Sequence, residues 1–111
     1  DPRKTTIVTA GVNIDPAENE TVLHTRPGVQ DCAVFGIPDD EYGESVAAVV
    51  EKRPGAAISA DDVRGFLRER IAAYKVPRLV EFQRDLPRED SGKIFKRKLR
   101  DPYWEKAGRK I

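Results

Sequence analysis

The sequence contains no methionine, and it has only one cysteine, one histidine and one tryptophan among its 111 residues. A lone thiol, Cys32, excludes an internal disulfide framework and is typical of a reducing compartment, so we expect a cytoplasmic protein. No apolar run approaches the ~20 residues that a membrane-spanning helix requires, so no transmembrane segment is expected. Because the chain starts at Asp1 and lacks methionine, we expect it to be a piece of a longer protein.

An excess of charge of one sign is also missing. The chain has 20 Lys and Arg residues against 19 Asp and Glu, which gives a formal net charge of +1. Nucleic-acid-binding domains usually carry a clear basic excess, so no nucleic-acid partner is expected. The mean hydropathy of −0.59 predicts a soluble chain, and its length suits a single domain.

The order of apolar segments and turn residues predicts an α+β domain, with helices packed on a sheet of about three mostly antiparallel strands. Two apolar runs are joined only by a loop and should therefore pair antiparallel, and a shorter run follows later. The predicted strands cover residues 29–37, 45–52 and 79–82. Residues 5–10 are also β-prone and form an N-terminal extended segment that ends at Gly11.

Helix starts are marked by capping residues. Asp15, followed by Pro16 at the first helical position, predicts one helix. Ser59 starts an amphipathic helix that should run to about Ala73. A basic stretch at 94–100 predicts a third, short helix, and residues 101–111 read as a polar tail, which Tyr103 and Trp104 would anchor.

The loop at residues 87–93, Pro-Arg-Glu-Asp-Ser-Gly-Lys, is the most informative stretch of the chain. Gly92 permits backbone conformations that are closed to other residues, and it has no side chain to keep a phosphate from the main chain. Lys93, directly after it, can bring a full positive charge to an oxyanion. Taken alone, Ser91, Gly92 and Lys93 also fit a solvated loop that leads into a basic helix.

Five collinear segments resemble the C-terminal domain of the adenylate-forming acyl-CoA synthetases. They are residues 1–4 with 11–14, residues 15–18, residues 33–39 with 42–44, residues 74–77, and residues 86–93. The resemblance implies that residues 1–111 form one mobile lid domain of a larger enzyme. Such an enzyme activates a carboxylic acid, here expected to be a fatty acid, with ATP to an acyl-adenylate, and coenzyme A then displaces AMP. A larger N-terminal domain would hold the acyl pocket and most contacts to ATP and Mg²⁺, so the fragment alone should be inactive.

The resemblance also implies roles for Lys93, Gly11 and Lys4. Lys93, supported by Ser91 and Gly92, would serve adenylation. Gly11 would let the pantetheine arm of coenzyme A pass after the lid rotates, although a plain turn glycine is the alternative. Lys4, in the hinge region 1–4, would absorb the rotation unless it is merely an exposed charge. The chain departs from the family at Pro2, where many members have arginine, which puts one nucleotide contact in doubt.

Weaker implications concern the binding of coenzyme A itself. Tyr42 could stack on its adenine, and Lys75 and Arg78 could meet its phosphates. The alternatives are that Tyr42 anchors its turn and that Lys75 only flanks Pro77. No metal site is expected, because the acidic residues 39–41 read as a solvated turn.

Two other functions remain open at this stage. The same lid would serve an adenylating enzyme that loads a carrier protein instead of coenzyme A. A small non-enzymatic interaction module of the α+β class would need no upstream domain.

Overall fold

The computed structural model describes residues 6–108, and these form a five-stranded sheet with three helices. The strands are β1 (Ile7–Thr9), β2 (Val12–Ile14), β3 (Val29–Asp39), β4 (Gly43–Lys52) and β5 (Leu79–Phe82). The helices are α1 (Pro16–Leu23), α2 (Ala60–Arg68) and α3 (Lys96–Lys106), and a short 3₁₀ turn covers Ala73–Lys75. The predicted α+β class is confirmed.

The long β3–β4 hairpin forms the centre of the sheet. β3 and β4 pair antiparallel along their whole length, as the short connection between them predicts. β5 adds to the other side of β4 in parallel orientation, and β1 joins the same side where Thr9 pairs with Gly43. The estimate of about three strands was too low, because the β-prone N-terminal segment folds back on itself as the separate hairpin β1–β2.

Local capping explains where α1 and α2 begin. The Asp15 carboxylate accepts a hydrogen bond from the Ala17 N–H at 2.9 Å, which caps α1. Ser59 and Asp62 form a reciprocal capping box at the start of α2. α2 ends at Arg68, earlier than the predicted end near Ala73, because the following residues turn back into the 3₁₀ segment beside α1.

α3 continues well beyond its predicted end at residue 100. It runs through Pro102 to Lys106, so the prediction of a tail at 101–111 was wrong for the described part, to residue 108. The expected anchors are confirmed: the Trp104 indole N–H donates to the Gly36 carbonyl at 2.9 Å, and the Tyr103 hydroxyl donates to the Glu81 carboxylate. These contacts hold the part of α3 that follows the proline against the sheet.

Both faces of the sheet are covered by apolar side chains. One face packs on α1 and α2 through a cluster that includes Val34, Val50, Val63 and Leu67. The opposite face packs on α3 through a smaller cluster of six buried residues: Ala33, Phe35, Ala47, Val49, Leu86 and Leu99. Because successive strand residues point to opposite faces, β3 and β4 contribute to both clusters. None of the helices within residues 6–108 is both long and apolar enough to cross a membrane.

Side chains occupy part of the free edge of β3. Its outward Val34 N–H donates to the Glu20 carboxylate at 2.8 Å, and its outward Gly36 carbonyl accepts from Trp104. Pro38, at the next outward position, has no N–H to offer. An edge with its polar groups satisfied or missing is a poor template for another strand.

Candidate functional site

The loop that carries Lys93 is a short hairpin. Arg88 and Ile94 form a β-bridge at its base. The Gly92 N–H donates to the Glu89 carbonyl, and the Glu89 N–H donates to the Lys93 carbonyl, both at 2.8 Å. Gly92 adopts φ +93°, which L side chains rarely take. This is the three-residue hairpin loop, here residues 90–92, whose last residue is left-handed, so the backbone favours glycine at position 92.

The Lys93 side chain is exposed at the end of this turn. Among residues 6–108 this side chain makes no hydrogen bond or ion pair. The Lys93 backbone N–H lies 3.5 Å from the Ser91 hydroxyl. A Cβ added at Gly92 would meet no atom within 4 Å, so the space beside the loop is open. The hairpin therefore presents an exposed cation at the surface of the domain.

Arg88 connects this hairpin to the body of the domain. Its guanidinium donates to the Gly92 carbonyl at 3.0 Å and to the Asp31 carboxylate at 2.5 Å. The second Asp31 oxygen accepts from the Cys32 N–H at 2.8 Å and lies 3.0 Å from His24 Nε2. Partial burial alone would raise the pKa of Asp31, but the bonds from His24, Arg88 and Cys32 outweigh it and lower that pKa.

Gly11 lies at the tip of the β1–β2 hairpin. Ala10 and Gly11 both have positive φ, 50° and 78°, which is the two-residue turn that matches the twist of antiparallel strands. The Ala10 N–H donates to the Tyr42 carbonyl at 2.9 Å, so this hairpin is held against the β3–β4 turn. A Cβ added at Gly11 would meet nothing within 4 Å. The backbone thus explains the glycine, and the space above it is free for a ligand.

The structure brings Tyr42 and Arg78 together beside the Gly11 hairpin. The Arg78 guanidinium carbon lies 5.6 Å from the centre of the Tyr42 ring, within the range of a cation–π contact. Arg78 also lies 3.5 Å from the Asp39 carboxylate, which accepts the Tyr42 N–H. This bond involves only the Tyr42 backbone, and the residue as a whole is 40% exposed.

Lys75 does not join this group through its charge. Its ammonium lies 2.8 Å from the Glu18 carboxylate on α1, and this hydrogen bond raises the pKa of Lys75. Its backbone carbonyl accepts from the buried Asn19 amide at 2.8 Å. Asn19 was missed by the sequence reasoning, because its partner lies 56 residues away and no local pattern indicates it. The hinge residue Lys4 lies outside the described residues.

The two hairpins lie at opposite ends of the β3–β4 pair. The Lys93 hairpin is tied through Arg88 to Asp31, near the start of β3, whereas the Gly11 hairpin contacts the turn after Asp39, at the end of β3. At about 3.3 Å per residue, the strand between these two aspartates spans roughly 26 Å. The two hairpins are therefore attached about one strand length apart, at opposite ends of β3.

The described residues contain neither a metal cluster nor an activated thiol. No group of three or more His, Cys, Asp or Glu side chains among residues 6–108 could hold a metal ion. Cys32 is 2% exposed, and burial raises the pKa of its thiol to about 12. His24 Nε2 lies 4.0 Å from the Cys32 sulfur, but a buried thiol with so high a pKa is not an activated nucleophile.

These features define a small α+β domain that has two separated, exposed hairpins and no enclosed reaction centre among its described residues. The family model described as "AMP-binding enzyme C-terminal domain" matches residues 18–93, and the chain belongs to this family.

Relatives of this chain are ligases that are much longer than it. The fatty acid–[acyl-carrier-protein] ligase ScoC of Streptomyces coeruleorubidus is 44% identical over 97% of this chain and 21% of its own length. A feruloyl-CoA synthase of an Amycolatopsis species is 47% identical over 90% of this chain and 20% of its own length. The chain thus spans about one fifth of the curated relatives that it matches.

Solved structures agree with the assignment. Apo MatB from Rhodopseudomonas palustris superposes with a TM-score of 0.85 at 40% identity, covering 91% of this chain and 20% of MatB. The amide bond synthetase McbA from Marinactinospora thermotolerans has a TM-score of 0.84 at 34% identity, covering 90% of this chain and 20% of McbA. The names of these relatives imply different acyl acceptors, so the shared domain does not itself define the acceptor.

Proposed function

We propose that this chain is the mobile lid of an ATP-dependent acid–thiol ligase, which first makes an acyl-adenylate and then a thioester. The observation that carries the proposal is the Lys93 ammonium, exposed and without a partner in the described chain, on a hairpin whose backbone is fixed. The domain would serve a centre held by a larger N-terminal domain, together with a carboxylic acid and ATP. Mg²⁺ would be bound there too, since residues 6–108 offer no cluster of ligands for it.

Lys93 would act in the adenylation step. Negative charge in that transition state is shared between the attacking carboxylate and the oxygens of the α-phosphate. A positioned ammonium between them stabilises the transition state more than the ground state, and that difference is what accelerates a reaction. Lysine suits this role because its charge is compact and its stem is flexible.

The Gly11 hairpin would act in the thioester step, after the domain has rotated. Support comes from the open space above Gly11 and from the exposed Tyr42 ring and Arg78 guanidinium beside it. An aromatic face can stack on adenine, and a guanidinium can bind phosphate, so this end suits coenzyme A. Lys75 contributes less, because Glu18 already neutralises it.

The test compares Lys93→Ala with Lys98→Ala in the full-length enzyme. Lys98 is an exposed lysine on α3 whose ammonium lies over the Phe95 ring, so it is a matched surface control. We expect Lys93→Ala to lower adenylation by about two to three orders of magnitude, measured as ATP–pyrophosphate exchange. Thioester formation from preformed acyl-adenylate should be nearly unchanged, and Lys98→Ala should match the wild type in both assays. An equal loss in both half-reactions would contradict the proposal.

The second candidate is a lid that serves transfer to a carrier protein. It is favoured by the similarity to ScoC, whose name specifies an acyl-carrier-protein acceptor. Supplying preformed acyl-adenylate with either coenzyme A or a phosphopantetheinyl carrier protein separates the two. We expect coenzyme A to be the better acceptor, and faster transfer to the carrier protein would support the alternative. The non-enzymatic module is disfavoured by membership in a family of enzyme domains.

A further inference from the structure

The Lys93 hairpin is anchored differently at its base and at its tip. At the base, the Phe95 N–H donates to the Pro87 carbonyl at 2.7 Å, and Leu86 and Ile94 pack against the apolar cluster under α3. The tip, residues 89–93, is exposed throughout. Within the described chain, the Arg88 guanidinium makes the side-chain connection between this tip and the rest of the domain.

The position of the acceptor matters more than the number of bonds. The Gly92 carbonyl, which accepts from Arg88 at 3.0 Å, belongs to the peptide that directly precedes Lys93. Fixing this peptide plane fixes the direction in which the Lys93 side chain leaves the backbone. Asp31 fixes the guanidinium in turn, since the Cys32 N–H and His24 Nε2 hold the other carboxylate oxygen in place.

We propose that Arg88 is a positioning residue for Lys93: bridging the Gly92 carbonyl to Asp31, it aims the lysine at the reaction centre. This inference rests on the proposed role of Lys93 in adenylation. A planar guanidinium has a fork of donors that can hold two acceptors in fixed directions, which a single ammonium cannot do. A catalytic group misplaced by about 1 Å can cost on the order of 100-fold in rate, so such a link matters without touching the substrate.

The rival explanation is that Arg88 binds the nucleotide directly. The Arg88 side chain is 43% exposed, so part of its surface is accessible to a ligand. A direct contact should be lost whether or not Lys93 is present, and Asp31 would matter little to it. A positioning role predicts the opposite in both respects. The effect of Arg88 should disappear when Lys93 is absent, and it should depend on Asp31, which holds the guanidinium.

The experiment introduces Arg88→Gln and Asp31→Asn into the full-length enzyme, each in the wild-type and in the Lys93→Ala background. We expect each substitution alone to lower kcat of adenylation by about 10-fold, with KM for ATP within about twofold of the wild type. In the Lys93→Ala background neither should cause a further loss. Thioester formation from preformed acyl-adenylate should stay unchanged, and Arg84→Gln, at an exposed arginine nearby, should match the wild type throughout.

The outcomes separate the two proposals. A further 10-fold loss in the Lys93→Ala background, or a rise in KM alone, would show direct binding and overturn the positioning role. Full adenylation by Arg88→Gln, with Lys93→Ala inactive, would overturn the positioning role and leave the proposed function intact. Full adenylation by Lys93→Ala would overturn the proposed function itself. Arg88→Lys keeps the positive charge at position 88 opposite the Asp31 carboxylate, so this variant should fold even where Arg88→Gln does not. A wild-type kcat of adenylation in Arg88→Lys would also overturn the inference.

Discussion

Trp104 donates its indole N–H to the carbonyl of Gly36, 2.9 Å away, and so joins α3 to the free edge of β3. A Cβ at Gly36 would come within 2.0 Å of a Glu44 carboxylate oxygen, so the glycine lets the end of that flexible side chain lie against the strand. Gly36 thus lies between two side chains: Glu44 lies close to its Cα, and the Trp104 indole binds its carbonyl.

Replacing Trp104 with phenylalanine should destabilise the chain chiefly through this lost hydrogen bond. The benzyl ring retains much of the packing, but the Gly36 carbonyl loses its donor. We expect the free energy of unfolding to fall by about 1–2 kcal/mol, measured by chemical denaturation. Tyr74→Phe, which removes an exposed hydroxyl from a ring that is 54% exposed, is the control and should shift it by less than ~0.5 kcal/mol. Equal stability of the two variants would refute the prediction.

Asn19 should be among the polar residues most sensitive to substitution. It is fully buried on α1, and its amide donates to the Lys75 carbonyl at 2.8 Å. Asn19→Ala leaves that carbonyl without its donor and opens a small void, so we expect a loss of about 2–3 kcal/mol in thermal or urea unfolding. Asn13→Ala, at an exposed position in β2, provides the matched control. If both variants unfold at the same denaturant concentration, Asn19 does not hold the 3₁₀ turn as described.

Acid should weaken the domain through Asp31. Its folded-state pKa lies below the usual 3.8, so the deprotonated carboxylate stabilises the fold, and this contribution is complete above the unfolded pKa. The contribution is lost as the pH falls through the depressed folded value. The stability difference between wild type and Asp31→Asn should therefore be fully present at about pH 5 and shrink below about pH 4. A difference that grows as the pH falls below about 4 would contradict this sign.

Two substitutions at Gly11 separate its backbone role from its proposed role in ligand passage. Asparagine tolerates positive φ far better than leucine, so Gly11→Asn should fold like the wild type, whereas Gly11→Leu should strain the turn. Both add a side chain to the open space above the hairpin. We expect both to slow thioester formation by about 10-fold or more while ATP–pyrophosphate exchange stays within about twofold. Normal thioester formation by Gly11→Asn would leave only the turn-glycine interpretation.

The features that sequence predicted well are those that depend on neighbours in the chain. The caps at Asp15 and Ser59 and the β3–β4 pairing follow from residues a few positions apart. The sequence did not indicate a positive φ at Ala10, because alanine rarely adopts one. The two-residue turn of the β1–β2 hairpin was therefore missed. Pro102 suggested an early end to α3, but packing of Tyr103 and Trp104 outweighs its local cost.

In the candidate site, too, the features formed by neighbouring residues were predictable and those formed by distant residues were not. Ser91, Gly92 and Lys93 are contiguous, so their pattern was visible, and the need for glycine followed from turn chemistry. Arg88 stood inside the same motif without an assigned role, because its acceptor Asp31 lies 57 residues earlier. The partnership of Tyr42 with Arg78 likewise depends on β5 lying parallel to β4, a pairing that the sequence did not specify.

The separation of the two hairpins by the length of β3 has a consequence for timing. If the chain acts as proposed, moving one hairpin toward the reaction centre would withdraw the other, because the two lie at opposite ends of β3. The acyl-adenylate would then be shielded from the thiol while it forms, and ATP would have no lysine while the thioester forms. The order of the two steps would be enforced by the stiffness of one β-hairpin, without any separate regulatory element.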